Sequence, residues 1–313
     1  MVAVEIYFDY RQVPATDSTV TLGNFDGFHK GHQEIVERTV ETALKNETRS
    51  LAMTFHPHPR QLFSGDLSLL TPLESKIRLF KQTGIDVMLV QPFTKQFSAL
   101  SPEDFIKTVL VDHLQTRHVI VGYDYCFGKS GSGNHRLFSA QGSKYGYATD
   151  VVSAIKYDDE IISSTAIRKY LAAGELEIVA RYMGRPYFLE GKVEFGAGRG
   201  TRLGFPTANI YPKKFSALPA FGVYLVRISG ATTAPHWGVA NIGHRPTFSG
   251  DNTSLEAYLF NFDGNLYGKK LTVEFYKQIR EERSFSDSRE LIQQIAADIE
   301  TAKALLKNDN MLK

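Results

Sequence analysis

The run S-T-V-T-L-G-N-F-D-G-F-H-K-G-H-Q-E-I-V-E-R-T-V-E-T-A-L (18–44) decides the fold of the first half of the chain. Its β-branched start reads as a strand over 18–25. Residues 33–44 read as a helix with Ile35, Val36, Val40 and Leu44 on one face. The junction is G-N-F-D-G-F-H-K-G-H (23–32). Gly23 and Gly27 permit a tight turn, and Gly31 lets a large ligand approach the first helical turn. In an open α/β sheet, ligands bind at the carboxyl ends of strands. The exposed N–H groups of a helix start, reinforced by its dipole, draw phosphate there. His29 and His32 are three apart, so one turn aims both imidazoles at the same anion. That suits attack on the α-phosphorus of ATP, where aimed donors stabilise the charge building on non-bridging oxygens and on departing pyrophosphate. A phosphate nucleophile is already ionised at pH 7 and needs no general base. A surface histidine pair is the alternative. So is half of a zinc site, for which His56 and His58 are the further candidates, with Pro57 between them.

The same alternation continues outward. L-A-M-T-F (51–55), D-V-M-L-V (86–90) and H-V-I-V-G (118–122) read as strands. Leu73–Thr83, after Thr71-Pro72, and Pro102–Leu114, with Ser101 as N-cap, read as helices. Strand–helix–strand order predicts a doubly wound parallel sheet. The pattern changes near G-R-P-Y (184–187). Beyond it come G-K-V-E-F, F-G-V-Y-L-V-R-I, H-W-G-V-A-N-I, S-L-E-A-Y-L-F and K-L-T-V-E-F-Y, separated by turn residues, then one helix over Asp287–Leu306. This predicts an antiparallel sheet or barrel with a closing helix. The expected domains are therefore 1–185 and 186–313, an α/β domain followed by a β domain.

Composition narrows the classes. The chain has 313 residues, enough for two domains, and its 42% hydrophobic content excludes disorder throughout. Lys+Arg 36 against Asp+Glu 34 does not point to a nucleic-acid partner. The single cysteine, Cys126, allows no intrachain disulfide and no thiolate zinc site. No stretch approaches the roughly 18 apolar residues of a membrane span, and the N-terminus lacks a basic-then-apolar leader. A cytoplasmic location, without membrane or nucleic acid, is the expectation; the oligomeric state stays open.

Two further stretches carry chemistry. In I-S-S-T-A-I-R-K-Y-L (162–171), Ser163, Ser164 and Thr165 offer hydroxyls, and Arg168, one turn on, offers a cationic fork for phosphate. A helix N-cap followed by an exposed arginine is the alternative. In G-A-G-R-G-T-R-L-G-F-P-T-A-N-I (196–210), Gly196, Gly198, Gly200 and Gly204 allow the backbone to wrap phosphates. Thr207 and Asn209 are two apart, so an extended segment turns both to one side. Each supplies a hard oxygen of the kind Mg²⁺ accepts beside water and nucleotide phosphates. A turn with a capped strand is the alternative.

The first motif resembles the nucleotidyltransferase signature of bacterial bifunctional riboflavin kinase/FAD synthetases. T-F-H-P-H-P (54–59), V-G-Y-D-Y-C-F-G (121–128) and the 162–171 stretch agree with it. The second half resembles the riboflavin kinase module through G-F-P-T-A-N (204–209), G-V-A-N-I-G-H-R-P-T-F (238–248), L-E-A-Y-L-F-N-F-D-G-N-L-Y-G (255–268) and I-R-E-E-R-S-F (279–285). The motifs occur in family order from about residue 18 to about 305. The resemblance implies a Rossmann-like adenylyltransferase domain and a barrel kinase domain. Riboflavin would be phosphorylated to FMN with ATP, and AMP then transferred from ATP to FMN to give FAD and pyrophosphate, with Mg²⁺ in both steps. It implies catalytic roles for His29, His32, Arg168 and Glu256. ATP would bind at Gly23, Asn24, Phe25, Gly31, Ser163, Ser164 and Thr165 in the first domain and at Gly196, Gly204 and Pro206 in the second. The flavin would bind at Phe55, Pro57, Pro59, Asp124 and Phe127 in the first and at Arg280 and Phe285 in the second, with Thr207 and Asn209 holding the metal. A carboxylate such as Glu256 suits the kinase step, because a ribityl hydroxyl is a poor nucleophile unless its proton is accepted.

The chain departs from the family pattern at several positions. Thr201-Arg202 exchanges a usual Arg-Thr, with Arg199 as a substitute cation. His56 stands where an acid is common, Cys126 where Arg is frequent, Tyr125 where Phe is frequent and Tyr258 where His is usual. A chain with one live activity, a non-catalytic flavin-binding protein of the same fold, and a different nucleotidyltransferase acting on pantetheine or an amino acid, against which the whole second domain argues, are the competing readings.

Overall fold

The computed structural model describes residues 4–65, 67–195, 204–247 and 250–308. It divides into two compact units, Met1–Ser164 and Thr165–Lys313.

In the first unit, β1 (Glu5–Tyr7), β2 (Ser18–Leu22), β3 (Arg49–His56), β4 (Val87–Pro92), β5 (Thr116–Gly122) and β8 (Ala148–Val152) form one sheet in the order β1-β4-β3-β2-β5-β8. Every pair in it is parallel. Between β5 and β8 come the short antiparallel pair β6 (Cys126–Phe127) and β7 (Gly133–Asn134). The helices are α1 (Lys30–Lys45), α2 (Pro59–Ser64), α3 (Leu73–Phe80), α4 (Lys95–Ser98), α5 (Pro102–Asp104) and α6 (His135–Tyr145). A small pair, β9 (Lys156–Tyr157) and β10 (Glu160–Ile161), follows. All five residues of β2 are buried, as a central parallel strand covered on both faces requires. The order of strands reverses between β2 and β5, and such a switch opens a crevice at their carboxyl ends.

Three local features differ from expectation. Strand β2 stops at Leu22 because Phe25 takes a left-handed φ of 48°, which begins a turn. Helix α1 starts earlier than the apolar periodicity, at Lys30, with His29 as its N-cap residue. The helix expected over 102–114 is α-helical only at α5 and continues as a π-helix over Phe105–His113. Its wider turn is visible where the Leu114 N–H donates to the Val109 carbonyl at 3.0 Å, five residues back.

The second unit opens with α7 (Ser164–Ala172, its first residue still counted in the first unit) and α8 (Leu176–Met183). Six antiparallel strands follow: β11 (Tyr187–Glu194), β12 (Ala208–Pro212), β13 (Gly222–Ser229), β14 (His236–Thr247), β15 (Gly250–Leu259) and β16 (Lys270–Glu281). They close into a barrel in the order β11-β12-β15-β14-β13-β16. Helix α9 (Ser288–Asn308) ends the described chain. Val223, Leu225 and Val239 pack against Ile299, Ala302 and Leu306 of α9, so α9 lies on the outside of the barrel wall. The alternate residues Val226, Ala240, Ile242, Leu255 and Ala257 are buried on the opposite face. Helix α8 packs on β11 and β16, and the Leu171 carbonyl accepts the Ala220 N–H at 3.1 Å. These contacts explain why the compact division falls ahead of the composition change at 184–187.

Candidate active sites

The first site grows from the end of β2. A Cβ at Gly23 would lie 2.9 Å from the buried Phe25 ring, which would have to shift, and one at Gly31 would lie 3.2 Å from the His29 ring, close enough to press on it. Asp26 is 1% exposed, and its carboxylate accepts the N–H groups of Leu70 (3.2 Å) and Thr71 (2.9 Å). The Asp26 carbonyl accepts the Ser164 hydroxyl at 2.8 Å. The loop is therefore anchored at its middle. Beyond it, His29 and His32 stack with ring centroids 3.7 Å apart, and Phe25 meets His32 edge-on at 5.4 Å. One helical turn thus brings both histidines together, as their spacing implied. Ser163 directly precedes α7; Thr165 and Arg168 lie on α7, past the division between the units.

Beside this loop, at the carboxyl ends of the strands, is a cavity of about 640 Å³. Asn24 comes to it from beyond β2, Phe55 and Pro59 from the end of β3 and the start of α2, Phe93 from beyond β4, and Tyr125 and Phe127 from beyond β5. Its walls are largely aromatic, with Phe55–Phe93 centroids at 5.6 Å and Phe105–Phe127 at 5.6 Å. Burial pushes the Tyr125 phenol pKa well up, so that hydroxyl stays protonated at any ordinary pH. Such walls match a flat heteroaromatic ring. Of the five expected flavin residues, Phe55, Pro59 and Phe127 line the cavity, whereas Pro57 and Asp124 are not among its lining. Sequence reasoning missed Phe63, Phe93, Phe97, Phe105 and Tyr125 there. They lie on α2, beyond β4, on α4, at the start of the π-helix and after β5, and no local motif joins them.

The second site is on the outer face of the barrel. Strand register sets Asn209 of β12 opposite Glu256 of β15, and Glu256 opposite Asn241 of β14. Three polar residues therefore lie abreast on three neighbouring strands. Thr207, Asn241 and Glu256 line a cavity of about 260 Å³ roofed by Leu291, Ile295 and Asp298 of α9. Arg280, Glu282 and Phe285 line it from the end of β16 and beyond, so the expected flavin residues Arg280 and Phe285 share one cavity with Glu256. The Arg280 guanidinium lies 5.6 Å from the Phe285 ring and that of Arg283 lies 4.7 Å from it. Phe205 and Tyr258 meet edge-on at 6.0 Å along another wall. Gly204 has a left-handed φ of 86° and Pro206 follows it into β12. Gly196, Arg199 and the Thr201-Arg202 exchange lie outside the described residues. The Asn209 side chain is 8% exposed, and its Oδ1 is buried with no hydrogen-bond partner among the described residues. A buried carbonyl oxygen of that kind is open to a water or a cation. Asn241, Tyr258 and Asp298 were not singled out from sequence as site residues. The first two become legible once strand register is known.

The comparisons with known proteins agree with this geometry. The FAD synthetase family model matches residues 12–166, and the Riboflavin kinase family model matches residues 183–306. A bifunctional riboflavin kinase/FMN adenylyltransferase of Buchnera aphidicola is 38% identical over 92% of this chain and 94% of its own length. This chain belongs to that family. The Escherichia coli K12 relative of the same description is 36% identical, covering 93% of this chain and 94% of its own. The Bacillus subtilis relative is also 36% identical, over 93% of each chain. Among solved structures, a Streptococcus pneumoniae protein described as a macrolide-efflux protein superposes with a TM-score of 0.86 at 26% identity, covering 96% of this chain and 99% of its own. No helix among the described residues is long and apolar enough to cross a membrane.

Proposed function

We propose that this chain makes FAD in two steps: it phosphorylates riboflavin to FMN with ATP, and it transfers AMP from a second ATP to FMN, releasing pyrophosphate. The observation that carries this reading is the presence of two separate cavities, one lined by Asn24 of the loop that leads to a stacked histidine pair and one beside a carboxylate on a barrel wall. Both family models, each matching its own half, support it. The adenylyltransferase is assigned to 1–185 and the kinase to 186–313.

In adenylyl transfer, an FMN phosphate oxygen forms a bond to the α-phosphorus of ATP as the bond to pyrophosphate breaks. His29 and His32 donate to the oxygens on which charge builds. The N–H groups that start α1 face the same anion. The aromatic cavity holds the isoalloxazine ring, with Phe55, Pro59 and Phe127 in its wall. Gly23, Asn24, Phe25 and Gly31 form the loop for ATP, with Ser163, Ser164, Thr165 and Arg168 as the second phosphate segment.

In the kinase step, Glu256 accepts the proton of the terminal ribityl hydroxyl as that oxygen attacks the γ-phosphorus and ADP departs. Arg280 and Phe285 hold the flavin side. Gly196, Gly204 and Pro206 carry the nucleotide loop. The orphaned Asn209 Oδ1 and the neighbouring Thr207 hydroxyl suit Mg²⁺, which would neutralise nucleotide phosphates when bound. A cytoplasmic location fits these substrates, where riboflavin and ATP meet.

Incubation of the purified chain with riboflavin, ATP and Mg²⁺, followed by chromatography of products, tests the proposal. FMN appears first and FAD accumulates from it. FMN without FAD, or FAD formed only from supplied FMN, defeats the two-activity reading and leaves a single live activity.

A further inference from the structure

Lys76 on α3 is 5% exposed, a rare burial for a lysine. Its ammonium donates to the Asn24 carbonyl at 2.5 Å and to the Thr54 hydroxyl at 3.3 Å. The Thr54 hydroxyl donates in turn to the same Asn24 carbonyl at 3.2 Å. One carbonyl oxygen thus receives two donors, one of them charged. That carbonyl belongs to the peptide between Asn24 and Phe25, where the chain leaves β2 and takes a left-handed turn. In a trans peptide the N–H opposes the C=O. Fixing the oxygen therefore fixes the whole plane, and Asn24 itself lines the aromatic cavity. Asp26, two residues on, is the negative charge that favours protonated Lys76. Burying an ammonium is costly. A methionine or leucine would fill a helix–sheet contact without that cost.

We propose that Lys76 is a positioning residue for adenylyl transfer: with Thr54 it clamps the Asn24–Phe25 peptide and so holds the loop that carries His29 and His32 in its reactive arrangement. The clamp acts through the loop and does not touch substrate. Its loss loosens donors that matter most when charge builds in the transition state, so the chemical step suffers more than flavin binding. The proposal rests on the placement of adenylyl transfer at the 23–32 loop.

The test uses the full-length chain, with riboflavin phosphorylation as the internal control. Lys76→Met lowers kcat for FMN adenylylation roughly 10- to 100-fold, the worth of a hydrogen bond to a charged group, with KM for FMN changed less than about threefold. Riboflavin phosphorylation is unchanged. Lys76→Arg, which keeps the charge, recovers part of kcat, and Thr54→Val lowers kcat less, in the same direction. An unchanged kcat in Lys76→Met overturns the proposal. So does a rise in KM alone, or a parallel loss of phosphorylation in a folded variant. If Lys76→Met does not fold, Thr54→Val decides, and unaltered kcat there overturns the clamp. His32→Ala is measured alongside: if it leaves adenylylation intact, the site placement has failed, whereas a lost activity in His32→Ala with a normal Lys76→Met defeats the clamp alone.

Discussion

Arg280 Nε lies 3.0 Å from both carboxylate oxygens of Asp298, and Arg280 Nη2 lies 2.9 Å from one of them. The pair joins the end of β16 to the middle of α9, and Gln294 adds a donor to Asp298 at 2.7 Å. Asp298 is 4% exposed, so its charge relies on these partners. The ion pair therefore fixes the roof of the barrel-side cavity as well as stabilising the fold. Asp298→Ala strands a guanidinium at that interface and destabilises the barrel unit by about 3 kcal/mol. The chain's one tryptophan, Trp237, sits in the barrel, so denaturant titration followed by its fluorescence reads this unit. The same variant raises KM for riboflavin and leaves FMN adenylylation unaltered.

The two cavities draw on different residues, so their activities separate by mutation. His32→Ala removes a donor from the stacked pair and lowers adenylylation by about 10²- to 10³-fold, while phosphorylation stays near the parent rate. Glu256→Ala does the reverse, with phosphorylation down by about 10²- to 10⁴-fold. Rates are measured with FMN and with riboflavin as separate substrates. Loss of both activities in either folded variant contradicts the assignment of two sites.

Asn209 offers a sharper test of metal binding. Its Oδ1 has no protein partner among the described residues, so Asn209→Ala removes an unused acceptor and leaves no new unsatisfied donor. If that oxygen holds Mg²⁺, the concentration of Mg²⁺ giving half-maximal phosphorylation rises by at least about tenfold, since even outer-shell losses cost about that much metal affinity. The Mg²⁺ dependence of adenylylation does not move. An identical Mg²⁺ profile for phosphorylation in Asn209→Ala would show that the oxygen has another role.

Local chemistry was the legible part of this chain. Gly23, Gly31, His29 and His32 lie in one short segment, and spacing alone set the two histidines on one turn. The strands of the parallel sheet announced themselves by apolar runs. Its two edge strands, Glu5–Tyr7 and Ala148–Val152, did not, because edge positions are half exposed and carry mixed residues. The aromatic wall was legible only at Phe55, Pro59 and Phe127. Phe93, Phe97 and Phe105 arrive from three further segments, and tertiary packing alone brings them together. The barrel was expected, but which face held the site was not. Glu256 and Tyr258 alternate with the buried Leu255 and Ala257, and that alternation does not say which side a later helix covers. Lys76 escaped notice because a lysine in an amphipathic helix reads as solvated.

Lys76 also predicts a pH dependence of stability with a definite sign. Burial lowers its pKa from 10.5 to about 8, while the Asp26 carboxylate opposes the fall. Below about pH 8 the lysine is protonated in folded and unfolded chains alike, and it contributes no slope. Between about 8 and 10.5 the unfolded chain still holds the proton that the folded one has released. The unfolded state then binds more protons, so stability rises with pH through this window. The shift corresponds to about 3 kcal/mol when the window has been crossed. Other lysines and tyrosines titrate nearby, so the quantity to measure is the unfolding free energy of the parent minus that of Lys76→Met. That difference is flat from pH 6 to about 8 and climbs above it. Urea titrations followed by circular dichroism, with Trp237 fluorescence separating out the barrel's transition, supply the values. A difference that falls above pH 8 would mean that the folded state holds the proton more tightly than the unfolded one, and that Lys76 is an ion-paired lysine rather than a desolvated one.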